Sequence, residues 1–165
     1  MKIAIISDTH DNMANFKKAI FLIKKEKIKF IIHCGDIFEL EMAKEIFKNF
    51  SGKVYFVLSD VDEKYFEKIG EDFLKDFPQL KIWRKFGDIE IDKKKIAFCH
   101  SPKTAFSLAF SQKYDIVFYR HLHKPWKTRI RKTKLVNPGN IAGLFFRPTF
   151  AIYNTKTDQL ELKIL

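Results

Sequence analysis

The sequence predicts an α/β fold, a four-layer α/β/β/α sandwich in which helices flank two mixed sheets. In the first half of the 165 residues, short apolar runs alternate with segments of helical periodicity. That alternation is typical of parallel strands joined by crossover helices. The second half contains short apolar runs separated by turns, which is typical of antiparallel hairpins. The length fits one domain covering residues 1–165.

The first half is predicted to repeat a strand followed by a helix three times. Apolar residues recur at helical spacing from Phe16 to Ile23, after an Asn12 that can cap the helix. The predicted strands cover 2–7, 28–33 and 53–58, and the predicted helices cover 12–27, about 40–49 and about 63–76. The three strands should therefore lie parallel in one sheet.

The second half begins with a predicted hairpin of residues 87–92 and 95–100, in which polar and apolar residues alternate. A helix is predicted over 102–112, because Pro is favoured in the first turn of a helix, and a strand over 115–120. Four further strand-like segments begin at residues 126, 134, 148 and 159, and they are predicted to form a meander.

Composition excludes some classes of protein. No apolar run reaches the roughly 20 residues of a membrane span and no signal peptide is evident, so we expect a cytoplasmic protein without a membrane partner. The formal net charge is +11, but lysines are scattered along the chain, so a nucleic-acid partner is not favoured. Cys34 and Cys99 lie in apolar runs and are expected to be buried, reduced thiols.

Asp and His residues recur where the predicted strands end. Four of the five histidines stand there, each with a carboxylate or another histidine nearby. The residues concerned are Asp8 and His10, Asp36, Asp60 and Asp62, His100, and His121 with His123. Ligands of open α/β sheets bind beyond the carboxyl ends of the strands. We therefore expect these side chains to meet at one edge of the molecule.

The ordered motifs resemble those of a known family. They are Asp8-Thr9-His10, Gly35-Asp36, Ser59-Asp60-Val61-Asp62, His100 at a strand end, Arg120-His121-Leu122-His123 and Asn137-Pro138-Gly139. In this respect the chain resembles the calcineurin-like metallophosphoesterases, in particular the small bacterial and archaeal phosphodiesterases. The resemblance extends over nearly the whole chain.

The resemblance implies a dinuclear metal centre in which Asp36 bridges two divalent ions and a metal-bridging hydroxide attacks a phosphodiester. Asp8, His10 and His123 would complete one site, and Asp60, His100 and His121 the other. Mixed imidazole and carboxylate ligands favour Mn, with Ni, Fe, Co or Zn as alternatives. The implied substrate is a small phosphodiester or nucleotide-like molecule. Asp36, Asp60 and His100 would act in catalysis.

Two departures from the family pattern bear on catalysis. Asp60 stands where the family has Asn, and a carboxylate cannot donate a hydrogen bond to the substrate. Arg120 stands where the family has Gly. We expect Arg120 to replace the missing donor by contacting a phosphate oxygen as a further catalytic residue, the alternative being that it points into solvent. Val61 stands where some larger members have a His that protonates the leaving group, so the enzyme should either prefer good leaving groups or use water as the acid.

Three residues are expected to support the ligands without binding metal themselves: His33, Asp62 and Asn137, the last by shaping a turn with Gly139. His121 and His123 alternate along the chain, so both can bind metal only if the backbone is distorted there. Two other functions stay open. The chain could be a weakened or inactive scaffold of the same fold, or a basic nucleic-acid binder or nuclease.

Overall fold

The computed structural model describes residues 1–37, 44, 48, 50–69 and 75–165. One sheet contains β1 (Lys2–Ile6), β2 (Phe30–His33), β3 (Lys53–Val57), β4 (Leu80–Trp83), β10 (Thr149–Asn154) and β11 (Gln159–Ile164). The other contains β5 (Phe86–Ile91), β6 (Lys94–Cys99), β7 (Ile116–Phe118), β8 (Trp126–Ile130) and β9 (Thr133–Asn137). The described helices are α1 (Met13–Lys25), α2 (Asp60–Ile69) and α3 (Pro102–Phe110).

Both sheets are mixed. The first has the order β11-β10-β1-β2-β3-β4, with β1 to β4 parallel and the last two strands of the chain antiparallel. The second has the order β5-β6-β7-β9-β8, with a parallel centre and antiparallel edges. The predicted pair of mixed sheets with flanking helices is confirmed.

Alternation along β1 shows how the layers are held together. Ile3 and Ile5 pack between the two sheets, whereas Ala4 and Ile6 pack toward α1. Helix α1 covers the first sheet with Phe16, Ala19, Ile20 and Ile23, and Ala105 and Ala109 of α3 cover the second sheet. Each buried Ile contributes about 1.5–3 kcal/mol to folding, so the three apolar layers hold the strand ends in fixed positions.

Three predicted elements differ from the structure. Strand β4 was not predicted. Helix α2 begins at Asp60 and not near residue 63, because Ser59 and Asp62 form reciprocal hydrogen bonds at its start. The final four strands are two hairpins in different sheets and not one meander, because β10 pairs with β1 across the length of the chain.

The other elements lie close to their predicted positions. Asn12 caps α1, accepting a hydrogen bond from the Asn15 amide at 3.1 Å. The first hairpin turns at Asp92 and Lys93, both with positive φ. The predicted helix near 40–49 lies largely outside the described residues, and so do residues 70–74 of the predicted helix near 63–76. Both cysteines are buried and free. None of the described helices is long and apolar enough to cross a membrane.

Candidate metal centre

Asp8, His10 and His123 meet at the carboxyl ends of the strands. One ligand atom from each of the three lies within 4.8 Å of the others. Asp8 and His10 belong to the loop after β1, and His123 to the loop after β7. The sequence separates these loops by more than 100 residues, and the two sheets bring them together. The structure thus brings these three predicted site residues together.

Asp36 lies between two of the other histidines. Its Oδ2 atom is 4.0 Å from Nε2 of His10 and 3.6 Å from Nε2 of His100. The His100 ring is 5.5 Å from the ring of His121. Asp36 therefore has the central position that a bridging carboxylate requires.

The remaining predicted ligand, Asp60, is the exposed first residue of α2. It lines a cavity of about 540 Å³ together with Asp36, His100 and His121. Within the described part of the chain, only the Asp8, His10 and His123 group brings three ligand atoms within 4.8 Å of one another. The second predicted set, Asp36, Asp60, His100 and His121, lines one cavity, and its ligand atoms lie farther apart than those of the first set.

The backbone at the centre is unusual, because most of the predicted ligands have positive φ. The residues are Asp8 (47°), His10 (42°), Asp36 (61°), His121 (94°) and His123 (49°). Such conformations cost about 1–3 kcal/mol each in a residue other than glycine, and they are typical of functional sites. The distortion required at His121 and His123 is therefore present, since β7 ends at Phe118 before either residue.

A hydrogen bond fixes the orientation of the His100 ring. Its Nδ1–H donates to the carbonyl of Cys34 at 2.9 Å, which leaves the lone pair of Nε2 on the side of Asp36. Metal-binding histidines commonly donate their other N–H to a carbonyl in this way. Gly35 is required beside this ring, because a Cβ there would lie 2.7 Å from Nδ1 of His100.

Asp62 holds the backbone of Asp36. Its carboxylate accepts hydrogen bonds from the amides of Asp36 (2.7 Å), Ile37 (2.9 Å) and Ser59 (2.9 Å), and from the Ser59 hydroxyl (2.9 Å). The side chain is buried. Its expected supporting position next to the ligands is therefore observed, and it also connects the loop after β2 to the start of α2.

His33 connects the loops after β1 and β2. Its Nδ1 accepts from the Gly35 amide at 3.1 Å, so Nε2 carries the proton and donates to the Thr9 hydroxyl at 2.9 Å. Complete burial lowers the pKa of His33 to about 3. In a neutral, buried His33 with both ring nitrogens bonded, neither nitrogen is left free for a metal ion.

Asn137 forms the expected turn, since its Oδ1 accepts from the Gly139 amide at 3.0 Å. A residue that the sequence did not single out, Asn140, has the more direct contact with the centre. Its Nδ2 donates to the carbonyl of His123 at 3.0 Å, and its Oδ1 accepts from the Leu144 amide at 2.8 Å. No spacing pattern distinguishes this asparagine from the others in the sequence.

Both expectations for Arg120 are wrong. The side chain is completely buried, and its guanidinium contacts the carboxylate of Asp8, so it neither reaches a phosphate in the cavity nor points into solvent. Burial lowers the pKa of Arg120 to about 9, which leaves it charged at neutral pH. Sequence patterns do not show which way a side chain points, and the contact with Asp8 could not have been predicted from them.

The electrostatics of the centre fit a bound cation. Burial is the main cause of lowered pKa values at His10 and His123, the latter to about 4, so both rings are neutral as metal ligation requires. Buried polar atoms usually have hydrogen-bond partners. Among the described residues, Oδ1 of Asp8 and Nδ1 of His123 have none. The residues present therefore fit a metal ion at this position.

Two basic side chains lie among the carboxylates that line the cavity. Arg84 and Lys85 line it beside Asp60 and His121. Arg84 is largely exposed and lies 3.9 Å from Glu63 and 3.8 Å from Glu67, so these two carboxylates share its charge. On the other side of the centre, the exposed Phe145 ring packs edge-on against His123 at 5.7 Å. The cavity entrance thus carries charges of both signs.

Comparison with known proteins agrees with the fold and these motifs. The family profile described as the calcineurin-like phosphoesterase superfamily domain matches residues 1–158. Phosphodiesterase MJ0936 of Methanocaldococcus jannaschii is 33% identical over 168 residues, which cover 100% of this chain and 99% of that protein. The structure of an archaeal phosphodiesterase matches with a TM-score of 0.88 and 30% identity, covering 100% of both chains.

A more distant match shares the fold alone. Vps29 of Entamoeba histolytica, determined in complex with Zn²⁺, has a TM-score of 0.69 at 15% identity, covering 100% of this chain and 98% of that one. The family profile and the relative at 33% identity both extend over nearly all of the sequence. This chain belongs to the calcineurin-like phosphoesterase superfamily.

Proposed function

We propose that this chain is a metal-dependent phosphodiesterase that holds two divalent ions with its Asp and His side chains. The observation that carries the proposal is the group formed by Asp8, His10 and His123, with Asp36 4.0 Å from His10. Family membership and the likeness to phosphodiesterase MJ0936 support it. When bound, two such ions would neutralise phosphate charge and activate water for attack.

Each side chain has a specific part in this proposal. Asp8, His10 and His123 would hold one ion, and Asp60, His100 and His121 would hold the other. Asp36 would be available to both, since its carboxylate lies between His10 and His100. The bond from His100 to Cys34 keeps the ring in place while Nε2 binds. Mixed imidazole and carboxylate ligands favour Mn, with Ni, Fe, Co or Zn as alternatives.

The substrate we propose is a small phosphodiester, of a nucleotide-like kind. Arg84 and Lys85 at the cavity mouth attract its negative charge, and the net charge of +11 strengthens that attraction at low salt. A cavity of about 540 Å³ has room for a molecule of nucleotide size. A macromolecular nucleic-acid substrate is not favoured, because lysines are scattered along the whole chain.

The proposal is tested by removing metal and restoring it. Protein treated with chelator should lose hydrolysis of bis(p-nitrophenyl) phosphate, and Mn should restore more activity than Mg. Ni and Co should give intermediate rates, because imidazole ligands favour these metals over Mg. The monoester p-nitrophenyl phosphate should react more slowly than the diester. Hydrolysis that survives complete metal removal would contradict the proposal.

The second candidate is a catalytically weakened scaffold of the same fold. The contact between Arg120 and Asp8 favours it, because a buried cation already lies beside a proposed ligand. The same assay separates the two candidates. A scaffold would be folded and would bind Mn, but it would hydrolyse the diester no faster than Mn alone does without protein.

A further inference from the structure

Arg120 is a buried cation next to the proposed metal centre. Its side chain is 0% exposed, as is that of Asp8, and the guanidinium contacts the Asp8 carboxylate. The backbone fixes it there, because the Arg120 amide donates to the His100 carbonyl at 3.1 Å. Within the described residues, Nη1 and Nη2 of Arg120 have no hydrogen-bond partner. Asp8 is therefore its principal counter-ion.

The two oxygens of Asp8 have different neighbours. Oδ2 accepts from the Ser7 hydroxyl at 2.5 Å and contacts Arg120. Oδ1 faces Nε2 of His10 at 3.4 Å and has no hydrogen-bond partner among the described residues. One oxygen is thus available to a metal ion while the other is neutralised by the guanidinium. A metal ion at this position would share a single carboxylate with a fixed positive charge.

This arrangement makes the two proposed metal sites electrostatically unequal. Asp8 and Arg120 together carry no net charge, so an ion beside His10 and His123 is attracted mainly by the shared Asp36, with smaller contributions from Asp62 and Asp11. An ion beside His100 and His121 is attracted by Asp36 and also by Asp60. Burial leaves the interaction of Arg120 with an ion next to Asp8 weakly screened, so the effect of its charge is large there.

We propose that Arg120 acts as an internal cation that weakens divalent metal binding at the site of Asp8, His10 and His123. The site of Asp36, Asp60, His100 and His121 consequently fills first, and the second ion binds only at higher metal concentration. The inference rests on the proposed function for the identity of the two sites. It concerns metal affinity, which is measured without any substrate.

The experiment is a Mn²⁺ titration of metal-free protein, followed by isothermal calorimetry and by the electron paramagnetic resonance signal of unbound Mn²⁺. The wild type should bind one ion at least tenfold more tightly than the other. Arg120→Met removes the charge and keeps most of the side-chain volume, so the weaker site should gain at least tenfold in affinity. Arg120→Gln serves the same purpose if the Met variant does not fold.

Two control variants separate charge at this position from charge in general. Arg84→Met removes a positive charge at the cavity mouth, from a side chain that does not contact Asp8. This variant should change the Mn²⁺ affinity of the weaker site by less than threefold. Arg120→Lys keeps a cation and should keep the two sites unequal. Equal affinities in the wild type, or an unchanged weaker site in both neutral Arg120 variants, would overturn the inference.

These results also distinguish this inference from the proposed function. Two equal Mn²⁺ sites together with metal-dependent hydrolysis would overturn the role of Arg120 and leave the phosphodiesterase proposal standing. No Mn²⁺ binding by any variant at millimolar concentration would overturn both. Unequal sites without hydrolysis would support the role of Arg120 and contradict the proposed activity.

Discussion

Replacing Asp62 with asparagine tests whether a buried carboxylate holds the backbone of Asp36. Among the described residues, Asp62 accepts three hydrogen bonds at Oδ2 and one at Oδ1 from the Ile37 amide. An asparagine can keep its oxygen on the side with three donors, but its NH₂ group then faces the Ile37 amide. One charge-assisted bond becomes a contact between two donors, and the other three weaken. At about 1.5–3 kcal/mol for a bond to a charged group, we expect a loss of about 3 kcal/mol.

The assay is urea denaturation of the metal-free protein, with the midpoint and slope measured for each variant. Asp62→Asn should lower the free energy of unfolding by about 3 kcal/mol and weaken Mn²⁺ binding roughly tenfold or more, because Asp36 loses its support. Asp88→Asn, an exposed position in β5, is the matched control and should change both by little. An Asp62→Asn variant as stable as the control, with unchanged Mn²⁺ affinity, would refute the reasoning.

Three further predictions concern pH, backbone and leaving group. Because the pKa of His33 is about 3 in the folded protein and near 6.5 in the unfolded chain, its contribution to stability is present above pH 6.5 and is lost as pH falls toward 3. In urea denaturation at a series of pH values, His33→Gln should make that loss shallower, and an unchanged slope would contradict the assignment. Gly139→Ala should lower the free energy of unfolding by about 2–4 kcal/mol in the same assay, because φ at residue 139 is +86° and the new Cβ would lie 1.7 Å from Oγ1 of Thr149. A variant as stable as the wild type would contradict this. Across substituted aryl phosphodiesters, log kcat/KM should fall steeply with leaving-group pKa, because Val61 cannot donate a proton; a flat dependence would indicate an acid elsewhere.

Much of the fold could be predicted because the strands are apolar and their ends are marked by polar residues. Ile3 to Ile6 alternate between two apolar layers, and the polar segment from Ser7 onward ends the strand. The positions of Asp8 and His10 after β1 and of His123 after β7 follow from the strand ends, whereas the meeting of the two loops depends on how the two sheets pack. The strand ends depend on local sequence, and they could therefore be predicted.

Other features depend on contacts between distant segments. The pairing of β10 with β1 joins residues about 150 positions apart, and no local pattern distinguishes it from a continued meander. Strand β4 is short and lies two residues after Pro78, so its run of apolar residues is weak. The start of α2 could have been predicted from the sequence, because Ser59 and Asp62 have the spacing of a capping box.

The direction in which a buried charged side chain points was the feature hardest to predict from the sequence. Arg120 precedes the His121 ligand position, and adjacency in sequence favoured a side chain in the substrate cavity. The structure instead buries the guanidinium against Asp8. A buried cation needs a counter-ion, and the nearest carboxylate in three dimensions lies more than 100 residues away in the sequence.

The most direct test of the central claim is the steady-state hydrolysis of bis(p-nitrophenyl) phosphate by Asp36→Asn in saturating Mn²⁺, compared with the wild type under the same conditions. Asp36 lies between His10 and His100, and the amide of asparagine cannot supply the negative charge that two ions would share. With folding verified by circular dichroism, kcat/KM should fall at least 100-fold. A folded Asp36→Asn protein that hydrolyses the diester at the wild-type rate would contradict the metal-dependent mechanism at this centre.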